Sequence, residues 1–347
     1  MVLTSAEVFP ITKGIMRAVR ILSAGQLEVA EVPGPKPVYG EVIVTLRAAA
    51  LNHRDVWIKR GQYAGVQFPL IPGSDGAGIV TAIGDGVDSS WLGREVVINP
   101  SLDWGPSLVA QSERFSILGL PRSGTLAEQV SIPAQQLALK PAKLSFAEAA
   151  ALPLSGLTAW RAVFTRARLA AGERILITGI GGGVALYALA FASAAGADAW
   201  VTSSSVSKIA RATKFGASGG FNYTLNGWVA EASKAVPSLF DVIVDGAGGA
   251  GFAALLDLCA PGARIVNYGA TRGNPPELPL RKLFWRQASL LGTTMGSTGE
   301  FGEMLRFVAE HRIKPVISEE FSLEQAEKAF GLMERGDQYG KIIVRIS

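Results

Sequence analysis

The sequence contains few of the residues that form disulfides or bind transition metals. Its 347 residues include one cysteine, Cys259, and two histidines, His53 and His311. A single cysteine excludes an internal disulfide and any site built from several thiolates. The two histidines are too few and too far apart in the chain to suggest a replacement zinc site. Scarce cysteine is typical of a reducing compartment, and we expect a cytoplasmic protein.

Long runs of one charge and a secretory leader are also missing. The 33 lysines and arginines and the 29 acidic residues are scattered, with a formal net charge of +4, so a nucleic-acid partner gains little support. Residues 1–16 show no basic region followed by an apolar core, which argues against a signal peptide. Residues 1–15 resemble an N-terminal extension before a natural start at Met16.

One uncharged run, residues 175–197, has the length of a membrane span. Glycines cluster within it at 179–183, directly after a short β-branched segment. Such a cluster is typical of a strand–turn–helix unit and would weaken a spanning helix. We therefore expect no membrane partner.

The order of the predicted elements indicates two domains of an α/β protein, which a chain of this length can form. Residues 17–135 contain short β-rich pieces between glycines and prolines and predict an all-β unit. Ser145 and Glu148 have the spacing of a capping box and predict a helix over 146–151. Beyond residue 174, strands alternate with helices, which predicts a parallel, doubly wound sheet. Its predicted strands are 174–178, 199–202, 242–245 and 263–268. Cys259 lies in a stretch that we read as an apolar helix.

A glycine-rich turn follows the first strand of the alternating region. Residues 179–185 read Gly-Ile-Gly-Gly-Gly-Val-Ala and open an apolar helix. Glycine permits a tight turn and lets backbone amides approach the pyrophosphate of a dinucleotide at the helix N-terminus. We assign Gly181, Gly182, Gly183 and Val184 to cofactor binding. The spacing departs from the strict G-x-G-x-x-G pattern, and an ordinary tight strand–helix turn is the alternative.

The next strand ends in three serines, Ser203, Ser204 and Ser205, with Lys208 in the helix that follows. NAD-binding domains usually have an acidic residue at this place, which binds the ribose 2′-hydroxyl and would repel a 2′-phosphate. Hydroxyls and a lysine suit the phosphate instead, so we expect NADPH as the cofactor. The alternative is a serine-rich helix cap with solvent-facing bases.

With these motifs the chain resembles the medium-chain dehydrogenase/reductase superfamily, specifically its zinc-free branch related to quinone oxidoreductases. The resemblance extends from Met16 almost to the C-terminus. Besides the glycine turn it rests on Leu-Asn-His-Arg-Asp at 51–55 with Gly61, and on segments 72–78, 157–159 and 340–344. It implies a GroES-like domain, residues 16–135, which the tail 306–347 completes. A Rossmann cofactor domain, residues 136–305, would be inserted between them, with the active site in the cleft.

The zinc ligands of the superfamily's alcohol dehydrogenases are missing. Their catalytic zinc uses a cysteine where this chain has Asn52 and a histidine where it has Ser74. Their structural zinc lobe needs four cysteines. The resemblance therefore implies a protein without bound metal.

The resemblance also implies the residues of the active site. Asn52 and Tyr63 would be the catalytic pair beside the nicotinamide, although Tyr63 reads equally well as a plain surface aromatic, and Trp57 is read mainly as packing. His53 reads equally well as a pyrophosphate ligand or a structural histidine. Further cofactor contacts would be Thr158, Tyr223, Ala247, Gly269, Ala270, Thr293, Thr294 and Lys341.

The implied reaction is hydride transfer from NADPH to an electron-poor small molecule, a quinone or an α,β-unsaturated carbonyl. Such acceptors are electrophilic without a metal, so positioning and one or two hydrogen-bond donors could suffice. The alternatives are a non-catalytic NADPH-binding structural or regulatory protein and, less favoured, an alcohol dehydrogenase. Family habit also implies a homodimer formed through an edge strand of the Rossmann sheet.

Overall fold

The computed structural model describes residues 14–346, which form two large sheets and the helices around them. Residues 1–13 of the expected N-terminal extension lie outside the described part. The helices are α1 (His53–Lys59), α2 (Phe146–Ala151), α3 (Pro153–Trp160), α4 (Gly183–Ala194), α5 (Val206–Lys214), α6 (Trp228–Ala235), α7 (Phe252–Leu255), α8 (Leu280–Trp285), α9 (Thr298–Glu310) and α10 (Ala326–Arg335). A π-helical turn, Arg161–Arg166, continues α3.

The strands are β1 (Ile15–Ser23), β2 (Gln26–Pro33), β3 (Glu41–Ala50), β4 (Asp75–Ile83), β5 (Glu95–Ile98), β6 (Ser101–Leu102), β7 (Ser116–Ile117), β8 (Gln129–Pro133), β9 (Leu137–Leu139), β10 (Arg174–Ile177), β11 (Asp198–Ser203), β12 (Gly219–Asn222), β13 (Phe240–Asp245), β14 (Cys259–Asn267), β15 (Ser289–Gly292), β16 (Ile317–Ser322) and β17 (Lys341–Arg345). The strands predicted for the alternating region are present, with ends that differ by a few residues.

β3 is the central strand of the first large sheet. It pairs antiparallel with β4, with β17 and with β8, and its apolar residues, among them Val42, Val44 and Leu46, are buried. The order of the sheet is β16-β17-β3-β4-β5-β9. β16 and β17 come from the tail, so the C-terminal segment contributes two strands to the first sheet.

The second large sheet has the parallel order β12-β11-β10-β13-β14-β15, which reverses between β10 and β13. The predicted Rossmann sheet inserted into a GroES-like domain is thus confirmed. The carboxyl ends of its strands meet at one edge, where open α/β sheets bind their ligands. The uncharged run 175–197 divides into β10, the glycine turn and α4. Within residues 14–346, no helix is long and apolar enough to cross a membrane.

Some details differ from the sequence analysis. β9 pairs with β5, so the first sheet extends past the expected boundary at residue 135, and α9 spans the expected boundary at 305.

The helical prediction for Cys259 is wrong, because this residue begins the buried strand β14. A short apolar run has the same pattern in a buried strand and a buried helix. Burial raises the pKa of the Cys259 thiol to about 12, so this thiol is unreactive near neutral pH.

Candidate active site

The glycine turn leaves an open backbone surface at the carboxyl end of β10. Gly179 and Gly181 have φ values of +66° and +128°, which residues with side chains rarely adopt. Gly182 caps α4, and no side chain accepts a hydrogen bond there. A Cβ built on Gly179 or Gly182 would meet no heavy atom closer than 4.0 Å. These uncapped N–H groups and the space in front of them fit the pyrophosphate of a dinucleotide.

The serines after β11 are used largely as a helix cap. Ser205 Oγ accepts from the backbone N–H of Lys208 at 3.4 Å, and Ser203 Oγ accepts from the N–H of Ser205 at 3.1 Å. Lys208 Nζ donates to the carbonyl of Gly336 at 3.0 Å, and the lysine stem lies over Gly181. The pKa of Lys208 is lowered, and burial is the main cause. Lys208 therefore lies beside the glycine turn, but its ammonium contacts the tail.

Tyr223 and an additional cation lie near the same strand end. The N–H of Tyr223 donates to the carbonyl of Ser203 at 3.2 Å, and the guanidinium of Arg272 is 5.4 Å from the centre of the Tyr223 ring. Ser204 is exposed beside them. Arg272 was not predicted from the sequence, although it follows the predicted cofactor residue Ala270 by only two positions.

A buried carboxylate holds the loops at the point where the strand order reverses. Asp245, which ends β13, accepts from the Thr178 hydroxyl at 2.6 Å and from the Asn267 amide at 3.0 Å. It also accepts from the N–H groups of Gly248 at 2.9 Å and Ala247 at 3.3 Å. The predicted contact residue Ala247 is thereby fixed to the ends of β10 and β14. Asp245 was not predicted as a site residue, although a carboxylate at the end of an apolar strand could have indicated it.

Further predicted cofactor residues follow the last strands of the sheet. Gly269 and Ala270 follow β14, and Thr293 and Thr294 follow β15. The N–H of Thr293 donates to the carbonyl of Asn267 at 3.0 Å. The Thr293 hydroxyl is buried and has no hydrogen-bond partner among residues 14–346. A buried hydroxyl without a partner is costly, so this one fits a polar group of a bound nicotinamide.

Four side chains, Asn52, Asp75, Ser155 and Lys341, meet in a buried group that we name the Lys341 cluster. Lys341 Nζ donates to Asn52 Oδ1 at 2.6 Å, to Asp75 Oδ2 at 2.9 Å and to Ser155 Oγ at 3.4 Å. Asn52 Nδ2 also donates to Asp75 Oδ2, at 2.9 Å. Each of the four residues is at most 5% exposed. The cluster joins the start of α1, the start of β4, α3 and the start of β17.

The Lys341 cluster borders the glycine turn. A Cβ on Gly183 would lie 2.7 Å from Ser155 Oγ and 2.9 Å from Lys341 Cδ, so packing requires glycine at this position. Lys341 was expected near the nicotinamide from the resemblance, whereas Ser155 was not predicted from the sequence. Thr158, one turn along α3 from Ser155, is also buried and donates to Met295 Sδ at 3.8 Å.

The donor set of the Lys341 cluster does not fit zinc. It offers one carboxylate, one amide and one hydroxyl, and an ammonium already lies among these oxygens, whereas zinc in proteins takes cysteine, histidine and carboxylate ligands. In the described part of the chain, no group of three or more His, Cys, Asp or Glu residues could hold a metal ion.

Tyr63 lies beside a buried arginine that the sequence analysis did not assign. The guanidinium carbon of Arg54 is 4.8 Å from the centre of the Tyr63 ring. Arg54 Nη1 donates to Ser74 Oγ at 2.7 Å and to the carbonyl of Leu118 at 2.9 Å. Because Ser74 directly precedes Asp75, the guanidinium links Tyr63 to the side of the Lys341 cluster.

His53 begins α1, directly after Asn52. Its ring packs edge-on against Trp57, with the ring centres 5.6 Å apart. Partial burial is the main cause that lowers the pKa of His53, and the positive charge of Arg60 lowers it further. A neutral imidazole can only donate a hydrogen bond to a pyrophosphate and adds no positive charge. This pair is compatible with the packing role that the sequence analysis gave Trp57.

Two family models match the chain, "Alcohol dehydrogenase GroES-like domain" over residues 39–142 and "Zinc-binding dehydrogenase" over residues 183–310. The chain is 37% identical over 340 residues to the zinc-type alcohol dehydrogenase-like protein YogA of Leptosphaeria maculans, covering 92% of this chain and 94% of that protein. It is 28% identical over 345 residues to the quinone oxidoreductase of Mus musculus, covering 95% and 98%.

A solved structure described as an NAD-dependent alcohol dehydrogenase aligns with a TM-score of 0.91 at 39% sequence identity, covering 96% of this chain and 100% of that one. The order of the two sheets, the glycine turn and these similarities lead to one assignment. The chain belongs to the medium-chain dehydrogenase/reductase superfamily of oxidoreductases.

Proposed function

We propose that this protein is a cytoplasmic, zinc-independent and NADPH-dependent reductase that transfers a hydride to a quinone or an α,β-unsaturated carbonyl. The Lys341 cluster is the observation that carries the proposal. It holds an ammonium next to Asn52, at a position where the superfamily's alcohol dehydrogenases have a zinc ligand. A resident ammonium repels a divalent cation, which favours acceptors that are electrophilic without one. The similarity to a mouse quinone oxidoreductase supports the same choice.

A bound nicotinamide dinucleotide would supply the hydride. The glycine turn and Val184 would hold its pyrophosphate, while Thr158 and Thr293 would contact the nicotinamide end. Asn52 retains one Nδ2 hydrogen after its bond to Asp75, and we assign this hydrogen to the acceptor carbonyl. The Tyr63 hydroxyl would provide a second donor. Neither residue needs to act as an acid, because a reduced quinone or enolate can take its proton from water.

The proposal is tested by mixing purified protein with NADPH and a panel of quinones and enones, and following the loss of reduced nicotinamide by absorbance. We expect turnover with at least one acceptor. Asn52→Ala should lower turnover or raise KM while leaving the Kd of NADPH, measured by fluorescence, nearly unchanged. A protein that binds NADPH but oxidises it with no acceptor would support the non-catalytic alternative.

We expect NADPH to bind more tightly than NADH, with Lys208 contributing to the difference. Exchanging the neutral carbonyl of Gly336 for a 2′-phosphate would give Lys208 a charge-assisted hydrogen bond. Such a bond is worth roughly 1.5–3 kcal/mol, or about ten- to hundredfold in affinity. Lys208→Ala should therefore weaken NADPH binding by that factor and NADH binding much less. Lys214→Ala, an exposed position on the same helix, is the control. Equal losses for both cofactors, or a wild-type preference for NADH, would refute the assignment.

We also expect purified protein to contain no stoichiometric zinc. Asn52 and Ser74 provide neither thiolate nor imidazole, and the chain has too few cysteines for a structural zinc lobe. Elemental analysis after expression in zinc-supplemented medium is the measurement. Zinc at one equivalent per chain that resists a chelator would contradict the proposal.

An alcohol dehydrogenase is the second candidate, because the chain is 39% identical to a structure described as an NAD-dependent alcohol dehydrogenase. This candidate predicts reduction of NAD⁺ or NADP⁺ when primary or secondary alcohols are added. Assaying both directions with one preparation decides between the two activities.

We further propose a homodimer in which β15 pairs with the same strand of a second copy. β15 ends the six-stranded sheet, and among the described strands it pairs only with β14. Leu290 on this strand and Phe284 and Trp285 on α8 are 41%, 64% and 81% exposed. An unpaired edge with apolar neighbours favours self-association. Light scattering should give twice the mass of the chain, and Leu290→Lys should give the monomer. A monomeric wild-type protein would refute this proposal.

A further inference from the structure

Arg54 differs from the other buried cations of the protein in its surroundings. Within residues 14–346, four lysines and arginines are buried as whole residues: Arg54, Lys59, Arg161 and Lys341. The last three each have a carboxylate partner, with N–O distances of 2.7 Å to Glu327, 2.8 Å to Glu300 and 2.9 Å to Asp75, respectively. In the described part of the chain, Arg54 has no carboxylate within ion-pair distance. Arg54 is therefore buried without the direct ion pair that each of the other three forms.

The hydrogen bonds of Arg54 hold it in place but leave part of its donor capacity unused. Both of its bonds to protein, to Ser74 Oγ and to the Leu118 carbonyl, are made by Nη1. Ser74 Oγ also donates to the same carbonyl at 2.7 Å, which fixes that side of the guanidinium. Arg54 Nε is buried and has no partner among the described residues. An arginine held on one edge, with free N–H groups on the other, is preorganised for an oxygen anion.

The nearest acidic residue in the sequence, Asp55, feels this charge but forms no direct ion pair with Arg54. Asp55 is fully buried; burial raises its pKa, and the nearby charge of Arg54 opposes that rise. Its Oδ2 accepts from the N–H of Asn52 at 2.8 Å, which completes the cap of α1. Asp55 thus belongs to the helix start, and the guanidinium faces Tyr63 instead.

We propose that Arg54 binds a negatively charged oxygen of the acceptor, beside Tyr63. This inference rests on the proposed reductase function and narrows its substrate class. The charge has two possible sources. It is either a permanent carboxylate conjugated to the reducible double bond or the enolate oxygen that forms during reduction. In the reduction, the β-carbon gains the hydride, the π electrons move to the carbonyl oxygen, and water then protonates the α-carbon.

The experiment compares a 4-oxo-2-alkenoate with its methyl ester as acceptors for wild-type protein, Arg54→Met and Arg54→Lys. A carboxylate at Arg54 predicts that Arg54→Met raises KM about ten- to hundredfold for the acid and changes the ester little. An enolate at Arg54 predicts instead that kcat falls for both acceptors with KM nearly unchanged. Arg54→Lys should retain part of either effect, because it keeps the charge but loses the planar fork.

Arg306→Met is the matched control, since it removes an exposed arginine of α9 and should change neither parameter. Calorimetric titration of the saturated acid into protein saturated with the oxidised cofactor gives a readout that does not depend on turnover. Wild-type protein that turns over neither acceptor would defeat the reductase proposal, whereas lost acid binding in Arg54→Met would still support the anion site. Kinetics and acid binding within twofold of wild type in folded Arg54→Met and Arg54→Lys, or equal effects in Arg306→Met, would overturn the inference.

Discussion

Replacing Lys341 with methionine should lower the free energy of unfolding by about 3–5 kcal/mol, as expected when one partner of a buried ion pair is removed. The change leaves the Asp75 carboxylate fully buried without its cation, and it removes the hydrogen bond that holds Asn52 Oδ1. The Lys341 stem also packs against Gly183 at the glycine turn. We therefore expect NADPH binding to weaken as well. Urea unfolding and fluorescence titration measure the two effects.

A double-mutant cycle separates the ion pair from general packing. Asp75→Asn alone should also destabilise, because it leaves the ammonium of Lys341 buried without a counter-charge. The double variant, Asp75→Asn with Lys341→Met, should be much more stable than the sum of the two losses predicts. Lys328→Met, at an exposed position of α10, is the control for removing a lysine. Additive losses in the cycle would show that the pair contributes no interaction energy.

Replacing Arg161 with methionine should cost a similar amount, about 3–5 kcal/mol, and should also raise the KM of the acceptor. Arg161 Nη1 donates to both carboxylate oxygens of Glu300, at 2.8 and 2.9 Å. Its Nη2 donates to the carbonyls of Leu108 at 3.0 Å and Val109 at 2.7 Å, and its guanidinium carbon is 4.8 Å from the centre of the Trp104 ring. One buried side chain therefore anchors the loop after β6 to the Rossmann domain.

The loop held by Arg161 belongs to the segment 99–119, where we expect acceptor specificity to reside. Its loosening should affect KM of the acceptor more than the Kd of NADPH, because the glycine turn lies elsewhere. Steady-state kinetics and urea unfolding of Arg161→Met, with the exposed Arg306→Met on α9 as the control, test both parts. Full stability in Arg161→Met would contradict the anchor, and an unchanged KM would separate the loop from acceptor binding.

Short-range patterns were sufficient to predict the elements of the fold. The capping box forms as predicted, with Ser145 N–H donating to Glu148 Oε2 at 2.8 Å and Glu148 N–H donating to Ser145 Oγ at 3.2 Å. The glycines at 179–183 open α4, which begins one residue earlier than predicted. In each case the interacting groups are only a few residues apart, so the local sequence contains the whole signal. Cys259 shows the limit, because its short apolar run suited a helix and a buried strand equally.

Such local patterns could not predict contacts between residues that are far apart in the sequence. Lys341 and Asn52 are 289 positions apart, and Arg161 and Glu300 are 139 apart. The serines after β11 could be interpreted as a phosphate site or as a cap, and the bond from Lys208 to Gly336 became visible only with the tail in place. The resemblance predicted Asn52 and Lys341 as separate site residues. It predicted neither the hydrogen bond between them nor that Ser155 belongs to the Lys341 cluster.

The sequence by itself determined the two kinds of sheet, the glycine turn at the start of α4 and the absence of cysteine and histidine at the family's zinc positions. These properties depend on residue type and short spacing. Only the tertiary structure decided which cations are buried and which carboxylates reach them. Burial and ion pairing depend on segments that folding brings together. Lys341 therefore pairs with Asp75 and Arg161 with Glu300, whereas Arg54 forms no ion pair among the described residues.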